Sequence, residues 1–145
     1  MHTLSLFAPW IIDSGAFDHM TNLSHFFISY TPCSRNKKVR SADGSLSSIV
    51  RQGSIRLSDK IVLQFVLHVP KLSCNLLSIS RLSKNSNCRV VFCASLCEFQ
   101  DLNLGMMIGS AKLIDNLYYF DDNRFENKQA QGLLVVFVRS LCMIK

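Results

Sequence analysis

The chain has 145 residues, the size of one domain, and is too short for a kinase, a barrel enzyme or a two-lobed enzyme with its own interdomain cleft. Apolar residues make up 48% and charged residues 18%, which excludes disorder for most of the chain. The formal charge of +6 comes from scattered basic residues. The densest group, Arg35, Lys37, Lys38 and Arg40, has no interleaved aromatic residue, so direct nucleic-acid binding is not expected.

In chain order, Trp10-Ile11-Ile12 is a short apolar strand that runs into Asp13-Ser14-Gly15. Residues 18–36 read as a loop with aromatic anchors at Phe26, Phe27 and Tyr30, broken by Pro32. Val39 to Ala42 and Leu46 to Val50, separated by Asp43-Gly44, predict a hairpin, and Gly53 is expected to end the segment that follows. Ile61 to Val69 is the best strand, with Ile61, Leu63, Phe65, Leu67 and Val69 at period two and Pro70 as its stop. Leu76 to Leu82 reads as a short helix or turn. Strands follow at Cys88 to Cys93, Leu96 to Gln100, Met107 to Gly109 and Leu117 to Phe120. Many short strands with turns between them predict an all-β or mainly-β barrel. One domain is expected over 9–120, then a polar linker over 121–132 and an apolar tail over 133–145 of no assigned role.

Residues 1–12 carry no clear signal peptide, and no run reaches the roughly 18–20 apolar residues of a membrane span. An intracellular protein with reduced cysteines and no membrane contact is expected. Cys74 and Cys97 read as buried thiols. Cys88, Cys93 and Cys97 are separated by four and three residues without any CxxC pair, so no zinc site is expected. Asp18, His19 and His25 do not make a convincing metal set, and no orienting third group supports a Cys–His hydrolase using His68. No metal or cofactor is expected.

One constellation carries chemistry. In Asp13-Ser14-Gly15, an aspartate at a strand end is followed by a small hydroxyl residue and a glycine that permits a close turn. Such a tripeptide also occurs as a plain turn. Aspartic peptide hydrolysis needs two carboxylates that share a proton. The chain has no second Asp-Ser-Gly or Asp-Thr-Gly, so a catalytic Asp13 requires Asp13 of another copy across a two-fold axis.

Three longer stretches extend this signal: Trp10-Ile-Ile-Asp-Ser-Gly-Ala-Phe-Asp-His-Met-Thr21, Ala42-Asp43-Gly44-Ser45 and Val66-Leu-His-Val-Pro-Lys-Leu-Ser-Cys-Asn-Leu-Leu-Ser-Ile-Ser-Arg-Leu82. With Cys97 to Asp101, Ile108-Gly109 and Asn116 to Phe120, they resemble the protease region of Ty1/copia-type LTR retrotransposon Pol polyproteins, leading toward the pre-integrase segment. The resemblance implies a retropepsin-like small β-barrel with one short helix, acting as a homodimeric aspartic endopeptidase on Gag-Pol. Asp13, Ser14 and Gly15 would form the catalytic motif, with Ser14 bracing the dyad. Phe17, Ala42, Asp43 and Gly44 would face the substrate or form a flap. Asn75, Leu76, Leu77 and Ser78 would support the active-site loop, and His19 would hydrogen-bond within it. The partners implied are a second copy and a polyprotein peptide, and the location is cytoplasmic or within a virus-like particle. Phe17 departs from the small residue, commonly serine, that such elements carry there. No zinc knuckle, integrase or reverse transcriptase accompanies the motif, which leaves a second expectation: a truncated, catalytically inactive fragment that acts through protein interaction.

Overall fold

The computed structural model describes residues 9–33, 37–40 and 44–121. The described strands are β1 (Trp10–Asp13), β2 (Met20–Thr21), β3 (Phe27–Pro32), β4 (Lys38–Arg40), β5 (Leu46–Ser48), β6 (Arg51–Arg56), β7 (Val62–His68), β8 (Asn75–Ser78), β9 (Cys88–Phe92), β10 (Leu96–Asp101), β11 (Met107–Ile114) and β12 (Leu117–Phe120). One α-helix, α1 (Ile79–Ser86), follows β8 directly. Apart from Asp121, the expected linker and tail lie outside the described residues.

Ten strands form one sheet in the order β3-β6-β7-β2-β8-β1-β12-β11-β10-β9, and β4 and β5 form a separate antiparallel pair. At the centre, β1 runs parallel to β8 and antiparallel to β12. Parallel pairs need cover on both faces, because the continuous apolar strands that form them have no polar side to show water. The side chains of these strands divide accordingly. Trp10, Ile12, Leu77 and Phe120 enter a larger core with Leu63, Val66, Phe99 and Leu82. Ile11, Leu76 and Tyr119 enter a second core with Met20, Val69 and Leu72 on the other face. Full burial of such an apolar side chain stabilises the fold by about 1.5–3 kcal/mol.

The expected barrel is corrected. The fold is mainly β with one short α-helix, but the sheet is not closed into a barrel: among the described residues β3 pairs only with β6, β9 pairs only with β10, and no ladder joins the two ends. Short strands at regular spacing occur in open and closed sheets alike. Closure depends on ladder register and shear, which strand periodicity does not encode.

Local expectations change for identifiable reasons. Residues 18–36 contain two strands, and Pro32 is tolerated because β3 is an edge. Gly53 does not end a segment. It lies inside β6, where a Cβ would sit 1.8 Å from the Ser29 carbonyl oxygen, so it permits close approach of β3. The regular alternation of β7 breaks at a bulge. Phe65 takes a left-handed φ of 58° and is 50% exposed, while Val66, Leu67 and His68 are all buried. The segment read as Leu76 to Leu82 splits into buried β8 and α1, with Ser78 as N-cap accepting a hydrogen bond from Arg81 N at 3.2 Å. Asn87 closes the helix at φ 46°.

The β4–β5 hairpin forms as expected, with Val39 opposite Ser47. Cys33, Cys88, Cys93 and Cys97 are free thiols. Cys97 is buried, and burial pushes its thiol up to about 11, so it is no thiolate nucleophile at neutral pH. Cys74 is buried too, but it is disulfide-bonded rather than a thiol. No helix among the described residues is long and apolar enough to cross a membrane.

Candidate active site

Asp13 is the last residue of β1 and pairs with Ser78, the last residue of β8. The four-residue ladder Trp10↔Asn75, Ile11↔Leu76, Ile12↔Leu77 and Asp13↔Ser78 carries the aspartate to the end of the central sheet. All four β8 residues are buried. The chain then turns: Gly15 N donates to Asp13 Oδ1 at 2.8 Å, and Ala16 N donates to the Asp13 carbonyl at 3.4 Å. The carboxylate is half-buried and held on one oxygen, while Ser14 and Gly15 are exposed.

The loop after Asp13 is tied down on its inner side. Ser78 Oγ donates to the Ala16 carbonyl at 2.7 Å. Ser78 N donates to His19 Nδ1 at 2.9 Å. Arg81 donates to Asp18 Oδ1 through Nε at 2.9 Å and through Nη2 at 2.8 Å. At the other end of β8, Asn75 Oδ1 accepts from Thr21 Oγ1 at 2.6 Å, and Asn75 Nδ2 donates to the Pro9 carbonyl at 3.3 Å. Ala16 and His19 are buried, and Phe17 points outward at 84% exposure.

His19 is the pivot of this network. Burial, aided by the Arg81 cation and opposed by Asp18, lowers its pKa from 6.5 to about 4. A neutral imidazole can accept through Nδ1, so the Ser78 N–H bond requires the deprotonated ring.

The structure therefore sets Asp13 beside Ser78, while Asn75, Leu76 and Leu77 pair with the strand residues that precede it, Trp10, Ile11 and Ile12. Gly44 is exposed at φ 90°, and its carbonyl accepts from Arg40 of its own hairpin at 3.0 Å. Ala42 and Asp43 lie outside the described residues. Asp18 and Arg81 were missed as site residues. Both stand inside the stretches that carried the resemblance, but nothing in one sequence pairs residues 18 and 81. Among the described residues, no second carboxylate is hydrogen-bonded to Asp13, and no group of three His, Cys, Asp or Glu side chains is placed to hold a metal ion.

A strand-end aspartate on a Gly-bearing turn, braced by the strand that leads into the one described α-helix, thus sits in a small mainly-β domain. The chain belongs to the family described as "Pol polyprotein, beta-barrel domain", which matches residues 10–87. Over 112 residues it is 34% identical to the retrovirus-related Pol polyproteins from transposons RE1 and RE2 of Arabidopsis thaliana, covering 75% of this chain and 8% of each relative. It is 36% identical over 76 residues to a putative transposon Ty5-1 protein of Saccharomyces cerevisiae, covering 50% of this chain and 48% of that one. The chain thus spans a small fraction of the two Arabidopsis polyproteins. No solved structure matches it.

Proposed function

We propose that residues 9–120 form the aspartic endopeptidase domain of a copia-like retrotransposon polyprotein and hydrolyse peptide bonds in Gag-Pol as a homodimer. The observation that carries this reading is the Asp13-Ser14-Gly15 turn, half-exposed at the end of the central sheet and braced from β8. One copy supplies one such carboxylate. Two copies related by a two-fold axis supply a pair, and two carboxyls in contact share one proton.

The ionised Asp13 then takes a proton from a bound water as the water oxygen attacks the scissile carbonyl carbon. The protonated Asp13 gives its proton to the carbonyl oxygen, which forms a tetrahedral diol. Proton transfer to the amide nitrogen lets the C–N bond break into an acid and an amine, so one water is consumed and the dyad is restored. Ser14 hydroxyls brace the pair across the axis. The site of action is intracellular, in the cytoplasm or a virus-like particle.

Cleavage of a Gag-Pol fragment at mildly acidic pH, read by mass spectrometry, tests this reading. Asp13→Ala is expected to lower the rate by at least about a thousandfold with the fold intact, since Asp13 is only half-buried. Sedimentation should show a dimer under the same conditions. Persistent cleavage in D13A overturns the assignment. A strictly monomeric, inactive wild type favours the reading as an inactive interaction fragment, which the exposed Phe17 beside the turn also fits.

A further inference from the structure

A cleft of about 510 Å³ opens between the base of the β4–β5 hairpin, the β7 bulge and the start of α1. Its lining includes Asp18, Lys37, Lys38, Gln52, Phe65 and Arg81. It adjoins the Asp13 turn by construction: Asp18 ends the loop that Asp13 begins, and Arg81 stands three residues after Ser78, the strand partner of Asp13.

The charges in the cleft do not cancel. Arg81 and Asp18 neutralise one another in a 2.8 Å ion pair. Lys37 and Lys38 are exposed, and neither forms an ion pair among the described residues; Lys38 Nζ reaches only Ser48 Oγ, at 3.3 Å. Two cations are left facing the opening. Next to them stands an aromatic ring in an expensive place. A left-handed φ costs a non-glycine residue about 1–2 kcal/mol, and the Phe65 ring recovers little by burial because it is half exposed. Arg81 lies over the ring at 5.7 Å and fixes its position. Bulges of this kind re-aim a side chain, and here Phe65 lines the cleft beside Lys37 and Lys38.

We propose that this cleft binds an acidic side chain of the peptide substrate: the carboxylate meets Lys37 and Lys38, and the neighbouring apolar residue packs on Phe65. The proposal rests on the endopeptidase reading, because it places that side chain on the peptide held at Asp13. A nucleic-acid strand fits the cleft less well. Asp18 lines it too, and one aromatic ring is no stacking platform for successive bases.

The test uses the full chain carrying Asp13→Asn, which cannot turn over. Fluorescein-labelled short apolar peptides with Glu scanned through each position, and matched Gln peptides, are titrated by anisotropy. A labelled oligo-dT strand is titrated in parallel. One Glu position is expected to bind roughly tenfold tighter than its Gln match. That preference should vanish in Lys37→Gln/Lys38→Gln and pass to Lys-bearing peptides in Lys37→Glu/Lys38→Glu. Both lysines are exposed, so both variants retain the fold, checked by circular dichroism. Equal binding of Glu and Gln peptides at every position, no peptide binding, or tight oligo-dT binding without a Glu preference overturns the proposal. The two readings separate cleanly. Cleavage by the unsubstituted chain with no Glu preference sinks the cleft and leaves the endopeptidase. A Glu preference without cleavage keeps the cleft and sinks the hydrolysis.

Discussion

The Asp13 turn and the β4–β5 hairpin are both short connections at strand ends, but different physics holds them. The Asp13 turn is the rim of a strand covered on both faces, and its inner side is tied by Ser78, which donates to the Ala16 carbonyl and to His19 Nδ1. The hairpin stands outside the ten-stranded sheet and exposes Lys38, Arg40, Leu46 and Ser48. Among its described residues, only Val39 and Ile49 pack against the second core, and Ser47 is buried. The difference teaches where precision resides. A carboxylate that must meet its twin needs a rim that does not move. A segment that borders a cleft needs only to be nearby.

Truncating one leucine in each region gives the largest contrast. Leu77 is fully buried in β8 beside Asp13, and Leu77→Ala is expected to cost about 2–5 kcal/mol. Leu46 is 51% exposed on β5, and Leu46→Ala is expected to change stability by less than about 0.5 kcal/mol. Urea unfolding measures both. Equal losses would mean that the hairpin is as integral to the core as β8.

Acid sharpens the same contrast, because His19 belongs to one region only. Its pKa is lowered to about 4 in the folded chain, against 6.5 unfolded. Between those values the unfolded state binds more protons, so stability rises with pH. The contribution is complete above about pH 6.5 and is lost as pH falls, the loss reaching about 3 kcal/mol by pH 4. The groups facing His19 are Arg81, which reinforces the shift, and Asp18, which opposes it. His68 on β7 is lowered by burial in the same direction. His19→Asn keeps an acceptor for Ser78 N–H and is expected to flatten the His19 share of this slope, read from urea midpoints between pH 4 and pH 7. An unchanged slope would assign it to groups other than His19.

Much of the Asp13 region was legible in the sequence. The apolar run before Asp13 and the turn tripeptide were visible, because a strand buried on both faces is written as consecutive apolar residues, whereas β8, with only Leu76 and Leu77 between Asn75 and Ser78, read as part of a helix or turn. What joins them was not visible. The bonds from Ser78 to Ala16 and His19 span about sixty residues and depend on a parallel ladder that no local pattern specifies. The open sheet was missed for the same reason. The β7 bulge was missed because Phe65 fits the alternation of Ile61 and Leu63, and only the packed structure reveals that Val66 takes the inward place. The hairpin was legible from Asp43-Gly44 alone, but its relation to the cleft was not.

Ser78 tests the joints themselves. Ser78→Ala removes the bond to the Ala16 carbonyl and the cap on Arg81 N, leaving a buried carbonyl without its donor. The expected loss is about 1–3 kcal/mol, with a larger proportional fall in any Asp13-dependent cleavage than in the folded fraction. A stability loss with kcat intact in the folded protein would show that β8 holds the strand and not the turn.

A smaller effect than at Ser78 is expected at the hairpin tip. Gly44 has φ 90° with nothing within 4 Å of a built Cβ, so Gly44→Ala costs backbone strain alone, about 1 kcal/mol. Where that cost appears decides whether the hairpin is a unit of its own. If it opens independently of the sheet, the strain speeds hydrogen exchange of the β4–β5 ladder amides by roughly fivefold and leaves the global urea midpoint unchanged. If the midpoint falls by the full amount instead, the hairpin unfolds only with the central sheet. The contrast with the Asp13 turn would then be one of exposure and not of cooperativity.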